Sequence, residues 1–204
     1  MFKKKSLITL VSLLAILCVT VGGTLAFLID TSGPIQNIFN PSKVTTSVEE
    51  TLSGNTKSNV KIKNTGDTDA FIRAAVVVTW QDAQGNVYGK KPVETTDYTI
   101  QLGKDWLDGA DGFYYHITPV KSEKEAPTNC TTGVLIESIS PIATSVNNIE
   151  ANGLGYYLTV EIIGSGIQNK PASVFNTEWA SSNLEVKNTD KDPMEWTLGQ
   201  KQGG

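Results

Sequence analysis

Residues 70–81 read Ala70-Phe71-Ile72-Arg73-Ala74-Ala75-Val76-Val77-Val78-Thr79-Trp80-Gln81, and how this run folds decides the fold of the chain. Its β-branched and aromatic residues carry no helical period, and the near-continuous apolar stretch Ala74–Val78 predicts a central strand covered on both faces. Asp82–Asn86 follows as a hairpin turn that returns through Val87 and Tyr88. Upstream, Asn64-Thr65-Gly66-Asp67 supplies a turn, Asn59–Asn64 alternates apolar and polar, and Val44–Leu52 alternates more loosely.

Downstream, strands are expected at Asp97–Leu102, Gly112–Val120, Gly133–Ser140 and Tyr156–Ile163. Asp105–Gly112 reads as a loop, and Pro127–Thr132 as a turn around Cys130. About seven short strands separated by polar turns predict an all-β domain over 44–180, an antiparallel sandwich or jelly roll. Only Pro171–Ala180 suggests a helical turn, with Pro at its start. From Ser181 the composition turns polar, and 181–204 is expected to be a loose tail. Its end, Gly199–Gly204, has no apolar residue and no LPxTG-like sorting signal, so retention at a surface is expected to come from assembly or binding.

The N-terminus reads as a signal peptide over 1–26. Lys3, Lys4 and Lys5 precede an apolar core from Leu7 to about Val21, and Thr24-Leu25-Ala26 offers small side chains that place cleavage between Ala26 and Phe27. The alternative is a retained membrane anchor, because Ser6–Ile29 carries no charge over a length that suffices to span a bilayer. After cleavage no stable membrane span is expected. Losing the three lysines takes the formal charge from -4 to -7, which disfavours nucleic acid and anionic membranes as partners. Cleavage also removes Cys18, so Cys130 is left with no partner in its own chain.

Chemistry is sparse. His116 is the sole histidine, and neither an HExxH pair nor a Gly-x-Ser-x-Gly elbow accompanies it, so no catalytic residue is assigned. Asp105, Asp108 and Asp111 are weak calcium candidates whose spacing departs from the EF-hand, and turn chemistry explains them, as it does Asp67 and Asp69, without a metal. No cofactor is expected.

Several short motifs nevertheless occur in a telling order. Gly23, Thr24, Ala26, Phe27, Asp30, Asn37 and Phe39 are followed by Asn64-Thr65-Gly66, Phe71-Ile72-Arg73, Trp106, Gly112-Phe113-Tyr114-Tyr115, Thr131-Thr132, Ile167-Gln168 and Trp179. Together these resemble the TasA/camelysin family of Gram-positive proteins exported through a dedicated signal peptidase of the SipW type. The chain departs from that pattern at Pro34 and at Asn40-Pro41.

The resemblance implies a jelly-roll protein of the cell surface or biofilm matrix, in some members polymerising by donor-strand addition. Residues 27–43 would then be an extended donor segment, with Phe27, Ile29, Ile35, Ile38 and Phe39 as apolar anchors, and the expected partners are copies of itself or a matrix protein. Two other readings stay open: a monomeric surface module that binds or adheres, and a camelysin-like metallopeptidase, to which the missing zinc ligands are the objection.

Overall fold

A computed structural model describes residues 44–142, 148–151 and 154–201. The leader, the cleavage site at Ala26 and Phe27, and the anchors Phe27, Ile29, Ile35, Ile38 and Phe39 lie outside the described residues. No helix among the described residues is long and apolar enough to cross a membrane.

The described chain is mostly antiparallel β-sheet. It runs β1 (Thr46–Ser53), β2 (Thr56–Asn64), β3 (Ala70–Gln81), β4 (Tyr98–Leu102), β5 (Trp106–Asp108), β6 (Tyr114–His116), β7 (Ile136–Pro141), β8 (Asn148–Ala151), β9 (Leu154–Gln168), α1 (Ser173–Glu178), β10 (Leu184–Lys187) and β11 (Thr197–Gln200). One sheet has the order β1-β2-β7-β4 and the other β5-β6-β3-β9-β8, while β10 and β11 form a separate hairpin.

β3 occupies the residues expected of it and the central place in its sheet, between β6 and β9. Its ladder with β9 is unbroken from Ala70–Gln168 to Gln81–Tyr157. Side chains alternate across a strand, so Ile72, Ala74, Val76 and Val78 point toward the other sheet. There they share one core with Val60 and Ile62 of β2 and Ile136 and Ile139 of β7. The expected cover on both faces holds only for the first half of β3: Phe71 is buried on the far face, but Ala75, Val77 and Thr79 are half-exposed there. The turn after β3 closes as expected, because the Asp82 carboxylate accepts from the backbone N–H of Gln84 and Asn86 and Gly85 takes φ +85°.

The far face beside Phe71 is covered by the segment expected to be loose. Leu184, Trp196 and Leu198 are buried with Phe71, Tyr115, Phe175 and Trp179 in a second apolar cluster. The tail is therefore corrected to a paired hairpin through residue 201. Of the apolar residues that anchor it, Leu184 and Leu198 lie in two four-residue strands and Trp196 just before the second, so the polar residues around them dominate the average composition. α1 falls within the expected helical turn, and its Phe175 packs edge-on against Phe71 at 5.4 Å between ring centroids.

Two other expectations shorten or lengthen. Gly112–Val120 supplies only three strand residues, whereas β9 continues past Ile163 through Gly164-Ser165-Gly166 to Gln168. The glycines are needed because β1 and β2 cross close above them. A Cβ at Gly166 would lie 2.7 Å from Val44 Cγ1 and 2.9 Å from Ile72 Cδ1. Gly166→Val is accordingly expected to lower unfolding stability by about 1–3 kcal/mol through overpacking, measured as a lower urea midpoint at unchanged slope.

Candidate functional site

Of the motif residues singled out in the sequence, Arg73, Phe113, Tyr115 and Trp179 meet on the far face of the second sheet. The Arg73 guanidinium lies 3.9 Å above the ring centre of Phe113 and 4.7 Å from that of Trp179. Its Nε donates to Ser165 Oγ (3.1 Å) and its Nη1 to Tyr115 Oη (3.3 Å). Tyr115 in turn donates to Asp111 Oδ2 (2.8 Å), which also accepts from Ser181 Oγ (3.0 Å). Burial pushes the Tyr115 phenol above its ordinary range, so it remains a donor to the carboxylate. Stacked and bonded in this way, Arg73 ties β3, β6 and β9 to the helix that follows.

Asn64 plays a similar part at the first turn. It is fully buried, and its Nδ2 donates to the carbonyls of Thr68 (2.9 Å) and Val120 (3.1 Å), while its Oδ1 accepts from Gly66 N (3.1 Å). Trp106 donates its indole N–H to Gly133 O (3.1 Å), and Thr132 Oγ1 accepts from Ile62 N (3.0 Å). Each of these polar groups is satisfied inside the fold, which is what burial of a polar atom requires.

His116 is held the same way. Nδ1 lies 2.7 Å from Thr118 O, and Nε2 accepts from Gly133 N at 3.0 Å, which fixes the neutral Nδ1–H tautomer. Both ring nitrogens are thus engaged by backbone, and burial lowers the imidazole pKa. The calcium candidates part company: Asp108 Oδ1 accepts from Ala110 N, and Asp111 binds Tyr115 and Ser181 as above. The Asp105 side chain packs against Gly133. Among the described residues no group of three or more His, Cys, Asp or Glu is placed to hold a metal ion. Cys130 is buried, with Sγ 3.4 Å from Pro127 O.

The feature that the sequence reading missed is an open strand edge. β8 pairs with β9 only over Leu154–Tyr157, so among the described residues the edge of β9 from Leu158 to Gln168 has β3 on one side and no strand on the other. Two of its carbonyls accept side-chain donors from the first sheet: Val160 O from Lys57 Nζ (2.8 Å) and Gly164 O from Thr46 Oγ1 (3.0 Å). Four residues apart, they face the same edge. At the Val160 end lies a cleft of about 270 Å³ whose walls include Leu52, Lys57, Ile139, Tyr157, Leu158 and Val160. Leu52, 69% exposed, is the cross-strand partner of Lys57 and marks the open mouth.

Comparison with protein-family models, with curated proteins and with solved structures gives no match. The site therefore rests on its own geometry.

Two outcomes are expected. Arg73→Met keeps an apolar stem but removes both ring contacts and both hydrogen bonds, and should cost about 2 kcal/mol in urea unfolding. His116 contributes a pH dependence. Its folded pKa is lowered, so above the ordinary value of 6.5 both states are neutral and stability is full. As pH falls below that value the unfolded chain takes up a proton that the folded chain resists, and stability declines until the folded pKa is reached. Unfolding midpoints recorded downward from pH 7 should show that decline, and His116→Gln should flatten it.

Proposed function

We propose that this chain is a secreted structural subunit of the cell surface or extracellular matrix, jelly-roll in type, that assembles by strand addition. Signal peptidase cleavage between Ala26 and Phe27 would free the extended segment 27–43, which would enter the groove at the open edge of β9 on a neighbouring copy. The observation that carries this reading is that edge: among the described residues no strand pairs with its outer side from Leu158 to Gln168, and the carbonyls of Val160 and Gly164 there accept from side chains. An incoming strand would replace them with backbone N–H groups, while alternate side chains enter the apolar cleft. Phe27, Ile29, Ile35, Ile38 and Phe39 are the side chains proposed to do so. The resemblance to the TasA/camelysin family supports the same reading.

No catalytic role is proposed, since His116, the one candidate base, has both nitrogens committed to backbone partners. A second reading, a monomeric module that binds a surface component, is favoured by Tyr157 and Ile163. Both project from the outer face of β9, each about half exposed, beside half-exposed Val77 and Ala75.

The test is the chain beginning at Phe27, followed by size exclusion and negative-stain microscopy. Filaments that disappear when 27–40 is deleted are expected. A product that stays monomeric at every salt concentration and pH, with or without that segment, contradicts strand addition and leaves the binding module.

A further inference from the structure

An open edge beside an apolar cleft is a hazard for a chain that must stay soluble before assembly, since it offers backbone groups to any extended segment. Lys57 occupies the point where that hazard is greatest. Its cross-strand neighbour Ile139 is buried, so Lys57 belongs to the inward-facing row of β2 and points a charge into the mouth of the core. Its side chain is only 16% exposed, and its ammonium is held by Val160 O and by Glu50 Oε2 at 2.9 Å.

Lys57 and Glu50 are brought together by an irregularity in the ladder. The extra residue lies on β2, where three steps from Lys61 to Ser58 match two from Glu49 to Thr51 and Asn59 takes φ +53°; this bulge turns Lys57 inward, toward the face that Glu50 shares with Val48 by simple alternation. Thr46 caps the second carbonyl, at Gly164, toward the other end of the edge. Gly164 itself allows the close approach, because a Cβ there would lie 3.3 Å from Thr46 Oγ1.

We propose that Lys57, braced by Glu50 and joined by Thr46, is a latch that occupies the β9 edge and must be displaced before a strand from a second copy can pair there. The inference rests on the strand-addition reading above. The entering strand supplies an N–H for each carbonyl that a side chain gives up, so the exchange conserves hydrogen bonds along the edge. Lys57 loses its carbonyl and swings toward solvent with Glu50. Moving the ammonium breaks its bonds to Val160 O and Glu50, so a chance segment that cannot fill the cleft gains too little to displace it. The occupant is the second copy that the strand-addition reading supplies; within the described chain Val44 lies against Gly166, while the cleft and the Lys57 contact lie toward the other end of the same edge.

The experiment compares the secreted full-length product with its Lys57→Met, Lys57→Arg and Thr46→Val variants, with assembly onset followed by light scattering against concentration. Near-UV circular dichroism verifies that each variant is folded. Lys57→Met should assemble at about tenfold lower concentration, equivalent to about 1.4 kcal/mol. Thr46→Val should shift the onset in the same direction by less, and Lys57→Arg, which keeps a donor, should match the unmodified protein.

If the unmodified protein assembles and Lys57→Met and Thr46→Val assemble no more readily, the latch is overturned and strand addition survives. If Lys57→Met assembles where the unmodified protein does not, the latch is supported. If neither assembles, both readings fall. A Lys57→Met chain that becomes more stable to urea yet stays monomeric overturns the second copy as occupant and assigns the edge to the chain's own segment.

Discussion

The ladder between β3 and β9 is the constraint on which the other elements depend. It joins residues 98 to 76 apart in sequence, without a break, from Ala70–Gln168 to Gln81–Tyr157. A contact of such long range has to overcome a large closure entropy before it is rewarded. Its reward is double. One face of β3 lays Ile72, Ala74, Val76 and Val78 on the core shared with β2 and β7, and the other presents Phe71 and Arg73 to the helix and the C-terminal hairpin. β6 then adds on the outer side of β3, and its His116 reaches across to the backbone of Gly133, the residue whose carbonyl also receives Trp106.

The same ladder creates the feature proposed to carry function. β9 has to be long to match β3, but β8 covers only its first four residues, and among the described residues no strand pairs with the remainder of its outer edge. Side chains from β1 and β2 partly satisfy that edge, and glycines at 164 and 166 let those strands come close enough to do it. In the proposed assembly the polar groups of Lys57, Glu50 and Thr46 would serve solubility beforehand, and the apolar walls behind them would serve the assembly itself. The motif residues Asn64, Arg73, Trp106, Tyr115 and Trp179 have a different task, which is to satisfy and pack the interior.

How far the sequence could be read follows from the same physics. β3 was legible to the residue because a long β-branched run is ambiguous with nothing else once the helical period is missing. β9 was legible only to Ile163, since Gly164-Ser165-Gly166 resembles a strand end until one knows which strands cross above it. The hairpin of β10 and β11 was hidden by its brevity: Leu184, Trp196 and Leu198 are scattered among polar residues and acquire meaning only against Phe71 and Phe175. The stretch 105–112 was read as a loop but holds β5; at Asp108 the expected turn contact is present, with Oδ1 accepting from Ala110 N, whereas the bond from Tyr115 to Asp111 joins residues whose meeting the spacing alone does not announce. Lys57 and Thr46 carried no signal at all, because a lysine and a threonine in an alternating strand are ordinary until their partners on β9 are seen.

The most direct measurement is hydrogen exchange of residues 158–168, compared between the monomer and the assembled protein. The backbone amides on the outer edge of β9 should exchange readily in the monomer and become protected on assembly, with the change concentrated in that segment. An assembled sample in which 158–168 exchanges as it does in the monomer would contradict the central claim that this edge is where one copy receives the next.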